Sequence, residues 1–278
     1  MSVVIPAHNE EAVIGRSLRL LLANSGGRLE IVVVANGCSD ATADNARAVD
    51  SSITVVEIAE ASKTAALNAG DAQATAMPRA YVDADVEVDA TTLFALAARL
   101  NDGTAMVASP GLRLDLSRVD RWVRAYYAIW QLSAFRHSAH IGSGIYALSR
   151  AGRRRFGQFP PVIGDDRFVQ GLFTPSERGT LADRTFTVHP PRTLGALIAR
   201  GGRIAAGNQQ LRSYGLAGSV PSTGTSFRQL TARVIRRPWL WGAFVLYCFV
   251  QVRTRQNGAA RLASEAELHW TRDETSRQ

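Results

Sequence analysis

Two aspartates that lie one residue apart have the chemistry to bind a divalent cation. Asp83 and Asp85 belong to the stretch 80–86, which reads AYVDADV. Residues i and i+2 of a strand point to the same face, so both carboxylates can face one site where the strand ends. Hard cations such as Mg²⁺ prefer these oxygen ligands and keep coordination positions open for substrate phosphates. Because an Asp-x-Asp tripeptide also arises by chance in a chain of this size, its surroundings decide what it means.

The segments around this pair alternate between strand and helix patterns. Apolar runs predict strands at 3–5, 30–34, 53–58, 81–82 and 106–108, and periodic segments between them predict helices at 13–22, 42–49, 63–76 and 91–100. Strands that alternate with helices form a parallel sheet covered on both faces. Such sheets bind ligands at the carboxyl ends of their strands, which is where Asp83 and Asp85 lie.

The second half of the sequence is less regular. Its patterns predict helices at 118–138, 168–173 and 193–215, strands at 145–148 and 185–188, and a linker of small residues at 218–225. Trp122, Tyr126, Tyr127 and Trp130 recur at helical spacing. This spacing is typical of a core helix, and it also suits the wall of a substrate groove.

The segment 238–252 is uncharged, aromatic and flanked by arginines on both sides. As a helix this segment would extend about 22 Å. A transmembrane helix needs roughly 20 residues, which extend about 30 Å, so the segment is too short to span a bilayer. Basic flanks and aromatic residues suit a helix at an anionic membrane surface, and they predict peripheral contact through 233–255. A helix buried against the domain, or against the partner in a homodimer, explains the same pattern.

The composition indicates a folded protein and favours a partner with phosphate groups. With 278 residues, 46% of them hydrophobic, the chain can bury a core of its own. The net charge of +8 comes mainly from Arg, which suits nucleotides, anionic lipid or nucleic acid. A generally basic, GC-rich-type composition explains the same total, and nucleic acid is not an expected partner.

The cysteines and the first residues lead to an expected location in the cytoplasm. Cys38 and Cys248 form no metal-binding or redox spacing, so a reducing compartment fits best. No basic segment precedes the first strand, so no secretory signal is expected. Peripheral binding at the inner face of the cell membrane is the accompanying expectation for 233–255.

An ordered set of motifs resembles the inverting glycosyltransferases of family 2, which have the GT-A fold. The sequence contains neither Gly-x-Gly-x-x-Gly after the first strand nor a P-loop motif, so dinucleotide and P-loop chemistry lack their phosphate-binding residues. In the order typical of the family it carries VVIPAHNEE at 3–11, VVVANGCSDAT at 32–42, KTAALNAG at 63–70, VDAD at 82–85, GSG at 142–144 and GDD at 164–166. The resemblance covers about residues 1–190. It implies an α/β fold with a single Rossmann-like, mostly parallel sheet flanked by helices, and a C-terminal helical extension.

The resemblance also implies which residues bind a nucleotide-sugar donor and its metal ion. The expected nucleotide-binding residues are Pro6, Ala7, Glu10, Asn36, Asp40, Lys63, Asp83 and Ala84. Asp85 is the expected ligand of Mg²⁺ or Mn²⁺, and His189 is a candidate further ligand. Structural alternatives remain open, because Asp40 can cap its helix, Lys63 can be a surface residue and His189 can be a hydrogen-bonded structural histidine.

The resemblance assigns a second group of residues to the acceptor side. Asp166 matches the family's catalytic carboxylate and is the expected base, although adjacent acids can instead stabilise a helix N-terminus. The expected contacts to acceptor or diphosphate come from Gly142, Ser143, Gly144, Asp165 and Arg203. The segment 209–214, QQLRSY, has Tyr214 where the processive members of the family have Trp, which argues against a processive polymerase.

The implied activity is metal-dependent, inverting transfer of a sugar from a nucleotide diphosphate, with UDP favoured. The acceptor is a hydroxyl compound, either lipid-linked or a secondary metabolite. The alternatives are a sugar nucleotidyltransferase and a non-catalytic nucleotide-binding protein at the membrane. The expected domains are a GT-A domain at 1–215, with a nucleotide-binding half at 1–110 and an acceptor half at 111–215, followed by a linker and helix at 216–278.

Overall fold

One seven-stranded sheet organises the protein, which the computed structural model describes at residues 1–133, 141–215 and 227–263. The strands are β1 (Ser2–Ala7), β2 (Glu30–Asn36), β3 (Thr54–Ile58), β4 (Arg79–Val82), β5 (Val107–Leu114), β6 (Ile145–Leu148) and β7 (Arg178–Val188). Their order across the sheet is β3-β2-β1-β4-β6-β5-β7. This architecture confirms the predicted α/β class with a single, mostly parallel sheet.

Helices flank the sheet and extend beyond it at the C-terminal end of the described chain. They are α1 (Ile14–Leu22), α2 (Thr42–Arg47), α3 (Lys63–Gln73), α4 (Ala90–Asn101), α5 (Arg121–Trp130), α6 (Arg150–Arg153), α7 (Asp165–Gly171), α8 (Leu194–Ser213), α9 (Phe227–Ile235) and α10 (Trp241–Ala263). Ser62, Asp89, Asp120 and Thr193 begin α3, α4, α5 and α8 by accepting a hydrogen bond from a backbone N–H of the first turn.

Apolar side chains cover both faces of the sheet. One face packs against α1 and α4 through residues such as Ile5, Leu18 and Leu93. The other face packs against α3 and α7, with Leu67 and Phe168 among the buried side chains. Strands that are buried on both faces explain the nearly continuous apolar runs of β1 and β2.

The position of β6 departs from the expected sheet. The sequence predicts parallel strands over the first 110 residues, but β6 from the second half lies between β4 and β5 and is antiparallel to both. Tyr81 of β4 lies opposite Tyr146 of β6, and the two rings stack with centroids 5.0 Å apart. The apolar run 145–148 predicts a strand correctly, but a run of this kind does not specify which strands it pairs with.

Several boundaries differ from the expected ones. The last strand begins at Arg178 instead of 185, because it pairs with the whole of β5. Helix α7 begins at Asp165 instead of 168, so both acids of the GDD motif lie in its first turn. Helix α5 ends at Trp130, and the continuation expected to 138 falls partly outside the described residues, as does the linker at 218–225.

The aromatic helix α5 and the C-terminal helix α10 pack against each other and against α8. Tyr126 and Tyr127 are buried, and Tyr126 stacks on Tyr247 of α10 at a centroid distance of 5.1 Å. The prediction that the aromatic residues of this helix belong to the core therefore holds for Tyr126 and Tyr127. Trp122 is half exposed. One face of α10 is buried against the domain, with Val250 only 1% exposed.

Among the helices of the described chain, none combines the length and apolar composition needed to cross a membrane.

Glu30 fastens the chain that enters β4. Its carboxylate accepts hydrogen bonds from the Ser2 hydroxyl at 2.5 Å, the Thr75 hydroxyl at 2.8 Å and the Ala76 N–H at 2.9 Å. Partial burial alone would raise the pKa of Glu30, but these bonds outweigh it and lower the pKa to about 2. The bonds therefore stabilise the folded protein while Glu30 is ionised.

We expect Glu30→Gln to lower the free energy of unfolding by about 1–2 kcal/mol at pH 7, after allowance for solvent exposure. Because the folded pKa lies below the unfolded one, this stabilisation is present above about pH 4.5 and is lost as pH falls towards 2. Urea denaturation of both proteins across this range measures the difference. Glu57→Gln, at an exposed ion pair with Arg47, is the control and should change stability by less than about 0.5 kcal/mol.

Candidate functional site

The predicted site residues converge at one edge of the sheet. Strands β1, β2, β3 and β4 run in parallel and end at this edge, and β6 begins there because it runs in the opposite direction. The residues that line a cleft at this edge come from five segments of the chain. They are Pro6, Lys63, Leu67, Tyr81, Val82, Asp83, Gly144, Tyr146, Asp165 and Asp166.

Lys63 lies at the centre of this cleft and binds two carboxylates. Its Nζ is 2.7 Å from Asp83 Oδ1 and 3.0 Å from Asp165 Oδ1. Burial alone would lower the pKa of Lys63, but Asp165 and Asp83 outweigh burial and raise it. Lys63 thus stays protonated and joins the start of α3 to the end of β4 and the start of α7.

Asp165 is held from two sides. Its side chain is 4% exposed, and Oδ2 accepts a hydrogen bond of 3.0 Å from the Tyr146 hydroxyl. A buried carboxylate is tolerated only when charges and hydrogen bonds compensate for lost hydration, and Lys63 and Tyr146 supply both. The negative charge of Asp83 is less well stabilised than that of Asp165. Burial, Asp165 and Asp85 together raise the pKa of Asp83 despite the opposing effect of Lys63.

Asp166 lies against the loop 142–144. Its Oδ2 accepts a hydrogen bond of 3.3 Å from the Ser143 N–H. The loop has positive φ at three successive residues, with 115° at Gly142, 67° at Ser143 and 107° at Gly144. A Cβ at Gly142 would collide with the Asp166 carboxylate, and one at Gly144 would lie 2.6 Å from Val86 Cγ2. The two glycines therefore allow the loop to approach Asp166 and the turn after β4.

Asp83 and Asp85 lie just beyond β4, in a turn closed by a hydrogen bond of 3.0 Å from Val86 N to Asp83 O. Asp83 and Asp85 are partly exposed while Ala84 between them is buried. Because all three lie in the turn and not in β4, the strand alternation behind the expected shared face does not apply to them, and their binding of one ion stays a prediction. In residues 1–133, 141–215 and 227–263, no group of three His, Cys, Asp or Glu side chains is placed to hold a metal ion. An ion bound here would therefore need ligands from substrate or solvent.

Arg203 of α8 lies close enough to Asp83 and Asp85 for their charges to act on its guanidinium. Burial and the neighbouring Arg200 lower the pKa of the Arg203 guanidinium, while Asp83 and Asp85 act in the opposite direction. Helix α8 therefore brings a positive charge towards the end of β4. This agrees in direction with its predicted role near the diphosphate or acceptor, which stays a prediction.

The loops after β1 and β2 bond to each other. Asn36 is buried, and its side-chain amide donates a 2.8 Å hydrogen bond to Ala7 O. Asp40 accepts hydrogen bonds from Thr42 N at 3.1 Å and from Glu11 N at 3.2 Å. The observed contacts of Asn36 and Asp40 are thus structural, and their contacts to a nucleotide stay predictions.

Glu10 lies at the start of the same connection. The Glu10 carbonyl accepts from the N–H groups of Val13 and Ile14, which leads the chain into α1. Its backbone N–H donates a 2.6 Å hydrogen bond to Thr42 Oγ1, and its side chain is buried. The two loops therefore form one unit next to Pro6 and Ala7.

His189 follows β7 and contacts two carboxylates. Its Nε2 is 3.0 Å from Glu87 Oε1, and its Nδ1 is 3.4 Å from Asp115 Oδ2. Glu87 also binds Arg16 at 2.8 Å. These contacts are those expected of a hydrogen-bonded structural histidine. Metal coordination by His189 stays a prediction.

Sequence reasoning missed Tyr146 and underrated Lys63. Tyr146 orients Asp165, but only the pairing of β6 with β4 brings it there, so no local pattern could reveal it. Lys63 carries a compositional signal, since it is the single lysine of the sequence and every other basic residue, apart from histidine, is arginine. An ammonium is a compact point charge that can bind two carboxylates in a narrow cleft.

Comparisons with known proteins agree with this fold. A family model described as glycosyl transferase family 2 matches residues 2–156, and no curated protein matches the sequence. A mannosyltransferase from Pyrobaculum calidifontis, in complex with GDP-Man and Mn²⁺, is similar over 96% of this chain and 76% of its own, with 21% identity and a TM-score of 0.61. A glucosyl-3-phosphoglycerate synthase from Mycobacterium tuberculosis, in complex with Mn²⁺, UDP-Glc and phosphoglyceric acid, is similar over 78% and 80%, with 22% identity and a TM-score of 0.56. At these identities the similarity establishes a shared fold, which is the expected GT-A fold.

We expect Lys63→Met to lower the free energy of unfolding by about 1–3 kcal/mol, because it leaves Asp83 and Asp165 without their cation. Urea denaturation in metal-free buffer measures the loss. Lys63→Arg retains the positive charge and should recover part of it. Arg99→Met removes the cation of an exposed pair with Asp102 and should change stability little. Equal stability of Lys63→Met and wild type would contradict the central role of this ion pair.

Proposed function

The chain belongs to glycosyl transferase family 2, and we propose that it is a metal-dependent, inverting enzyme that uses a nucleotide diphosphate sugar. The observation that carries this proposal is the convergence of Lys63, Asp83, Asp165 and Asp166 from three segments at one cleft. Residues 1–110 provide the nucleotide side of the cleft and residues 111–215 the acceptor side. The acceptor supplies a hydroxyl group, on a lipid-linked compound or a secondary metabolite.

The donor side is proposed at the ends of β1, β2 and β4. Pro6, Ala7, Glu10, Asn36 and Asp40 form the base and ribose end, and Asp83 and Ala84 lie beneath the diphosphate. Pro6 lines the same cleft as Lys63 and Asp83, which supports this arrangement. The two structural relatives were solved with GDP-Man and with UDP-Glc, so the base is a property for experiment to decide.

The carboxylates at the end of β4 fit a divalent cation. Asp83 lies within electrostatic reach of Asp165 and Asp85, and Lys63 binds Asp83 and Asp165, so the cluster has an excess of negative charge that a further cation would offset. Hard oxygen donors suit Mg²⁺ or Mn²⁺, and one or two carboxylates suffice when donor phosphates complete the coordination. We assign Asp85 as the direct ligand and keep His189 as a candidate second ligand. The bound ion would supply charge neutralisation to the leaving diphosphate.

Asp166 is proposed as the base that accepts the proton of the acceptor hydroxyl. As that proton leaves, the oxygen forms a bond to the anomeric carbon on the face opposite the nucleoside diphosphate. The bond from this carbon to the diphosphate oxygen breaks, the nucleoside diphosphate departs with the electron pair, and the configuration is inverted. The Ser143 N–H and the close approach of Gly142 orient the Asp166 carboxylate. Asp165, held by Lys63 and Tyr146, keeps the start of α7 in place, and Arg203 faces the diphosphate or acceptor from α8.

We expect Asp166→Asn to lower kcat by about 10²–10⁴-fold, because it removes a general base while keeping the side chain's shape. Nucleotide binding should be unchanged, since Asp166 acts on the acceptor side. Donor turnover is measured with each candidate sugar nucleotide, and NMR of the glycosylated product gives the anomeric configuration. Asp183→Asn, at a side chain that is 80% exposed, is the matched control. Retention of configuration would contradict the assignment of Asp166.

We expect one of UDP, GDP and dTDP to bind at least tenfold more tightly with Mn²⁺ than without it, because a bound ion would offset the repulsion between the phosphates and the carboxylates. Asp85→Ala should abolish this metal-dependent gain, whereas Asp183→Ala should retain it. Isothermal titration calorimetry measures both effects. Binding of none of the three nucleotides would contradict the proposed donor site, and binding without sugar turnover would support the non-catalytic alternative.

A further inference from the structure

We infer that the outer surface of α9, the turn 238–240 and α10 docks on an anionic lipid bilayer. This outer surface is defined by Phe227, Ile235, Trp239, Trp241, Val245, Phe249 and Val252, together with Arg236 and Arg237. Eleven large hydrophobic residues are exposed in the described part of the chain, and these seven lie within 26 consecutive positions of it. Such a concentration of apolar surface marks an interaction site.

The apolar residues of α10 form a second face, separate from the one that packs on the domain. Trp241, Val245, Phe249 and Val252 recur every three or four residues and are all at least half exposed. The opposite face holds Val250 and Tyr247, which pack on α5. The inner face of α10 is therefore buried against the domain, whereas the outer face packs against none of the described residues.

The inner face also fixes α10 in its orientation. Gly258 of α10 lies against Ala205 of α8, where an added Cβ would be 2.7 Å from Ala205 Cβ. Gln251 donates a hydrogen bond of 3.1 Å to the Tyr126 hydroxyl. Because the helix cannot roll without breaking these contacts, the outer residues present a fixed surface. Its apolar stripe extends for about 16 Å along the helix axis, which suits a helix lying in the membrane plane.

Charge identifies a bilayer as the occupant of this surface. Residues 184–264 contain twelve arginines and no lysine, aspartate or glutamate. The helices α5, α8, α9 and α10, which form this part of the structure, carry no acidic residue at all. Arg236 and Arg237 are exposed beside Trp239, which is 77% exposed, and they line an open depression with Gln229, Ala232 and Arg233.

These properties match the chemistry of an anionic membrane surface. Arginines attract the lipid headgroups, and aromatic and aliphatic side chains enter the boundary between headgroups and acyl chains. Tryptophan is suited to this boundary because its ring is apolar and its N–H is polar. The interface of a second copy would bring this uniformly positive surface against itself, which is unfavourable.

Vesicle co-sedimentation of the purified full chain tests the proposal. We expect the protein to bind phosphatidylcholine vesicles that contain about 30% phosphatidylglycerol and to bind pure phosphatidylcholine weakly. Arg236→Glu combined with Arg237→Glu should weaken binding to anionic vesicles by at least tenfold. The control combines Arg150→Glu and Arg154→Glu, which make the same charge change at exposed positions beside the opposite edge of the sheet, and it should bind like wild type.

Fluorescence quenching by brominated lipids tests which residues enter the bilayer. We expect quenching in wild type, and its loss in Trp239→Phe combined with Trp241→Phe while co-sedimentation is retained. Equal binding to neutral and anionic vesicles, or equal effects of the two charge-reversal pairs, would overturn the proposal. A stable dimer in analytical ultracentrifugation that Trp241→Ser with Phe249→Ser dissociates would also overturn it, in favour of a second copy. The vesicle experiments contain no nucleotide, and we expect Asp85→Ala to bind vesicles like wild type. Failure of the membrane proposal is therefore distinguishable from failure of the proposed transferase site.

Discussion

The ion pairs of Lys63 with Asp83 and Asp165 are the interaction on which the geometry of the cleft depends. A carboxylate that is largely removed from water is costly unless a charge and hydrogen bonds compensate for the lost hydration. One ammonium group meets this need for the buried Asp165 in the first turn of α7, and it also binds the partly exposed Asp83 after β4. The side chain of Lys63 therefore holds the start of α3, the end of β4 and the start of α7 together.

Helix α3 is held in the same manner at its other end. Asp71, which is 8% exposed, binds Arg79 of β4 at 2.5 Å and Arg153 of α6 at 2.7 Å. It also accepts a 2.8 Å hydrogen bond from the Tyr81 hydroxyl. Lys63 and Asp71 thus fasten the two ends of α3 to the two ends of β4. Removal of either charge would leave buried groups of the opposite sign without compensation, so the strand and the helix are positioned together.

The C-terminal helices combine a structural and an external role. Small residues such as Gly202 and Gly258 let α8 and α10 approach closely, and this packing directs Arg203 towards the acids after β4. The same packing turns the aromatic and aliphatic residues of the outer face of α10 to the surface. One helix pair therefore brings a positive charge within reach of Asp83 and Asp85 and carries the proposed membrane surface.

The sequence by itself determined the class of the fold and the position of the two acids that follow β4. Alternation of apolar and periodic segments is a local property, and Asp83 with Asp85 follows an apolar run whose end can be located without the fold. The insertion of β6 between β4 and β5, the contact of Tyr146 with Asp165 and the placement of Asp166 against Gly142 depended on the tertiary structure. So did the two faces of α10, because the same apolar segment suits a buried helix and a membrane surface until its packing partners are known. Pairing and packing join residues that are far apart in the chain, and their free energy is not encoded in any local pattern.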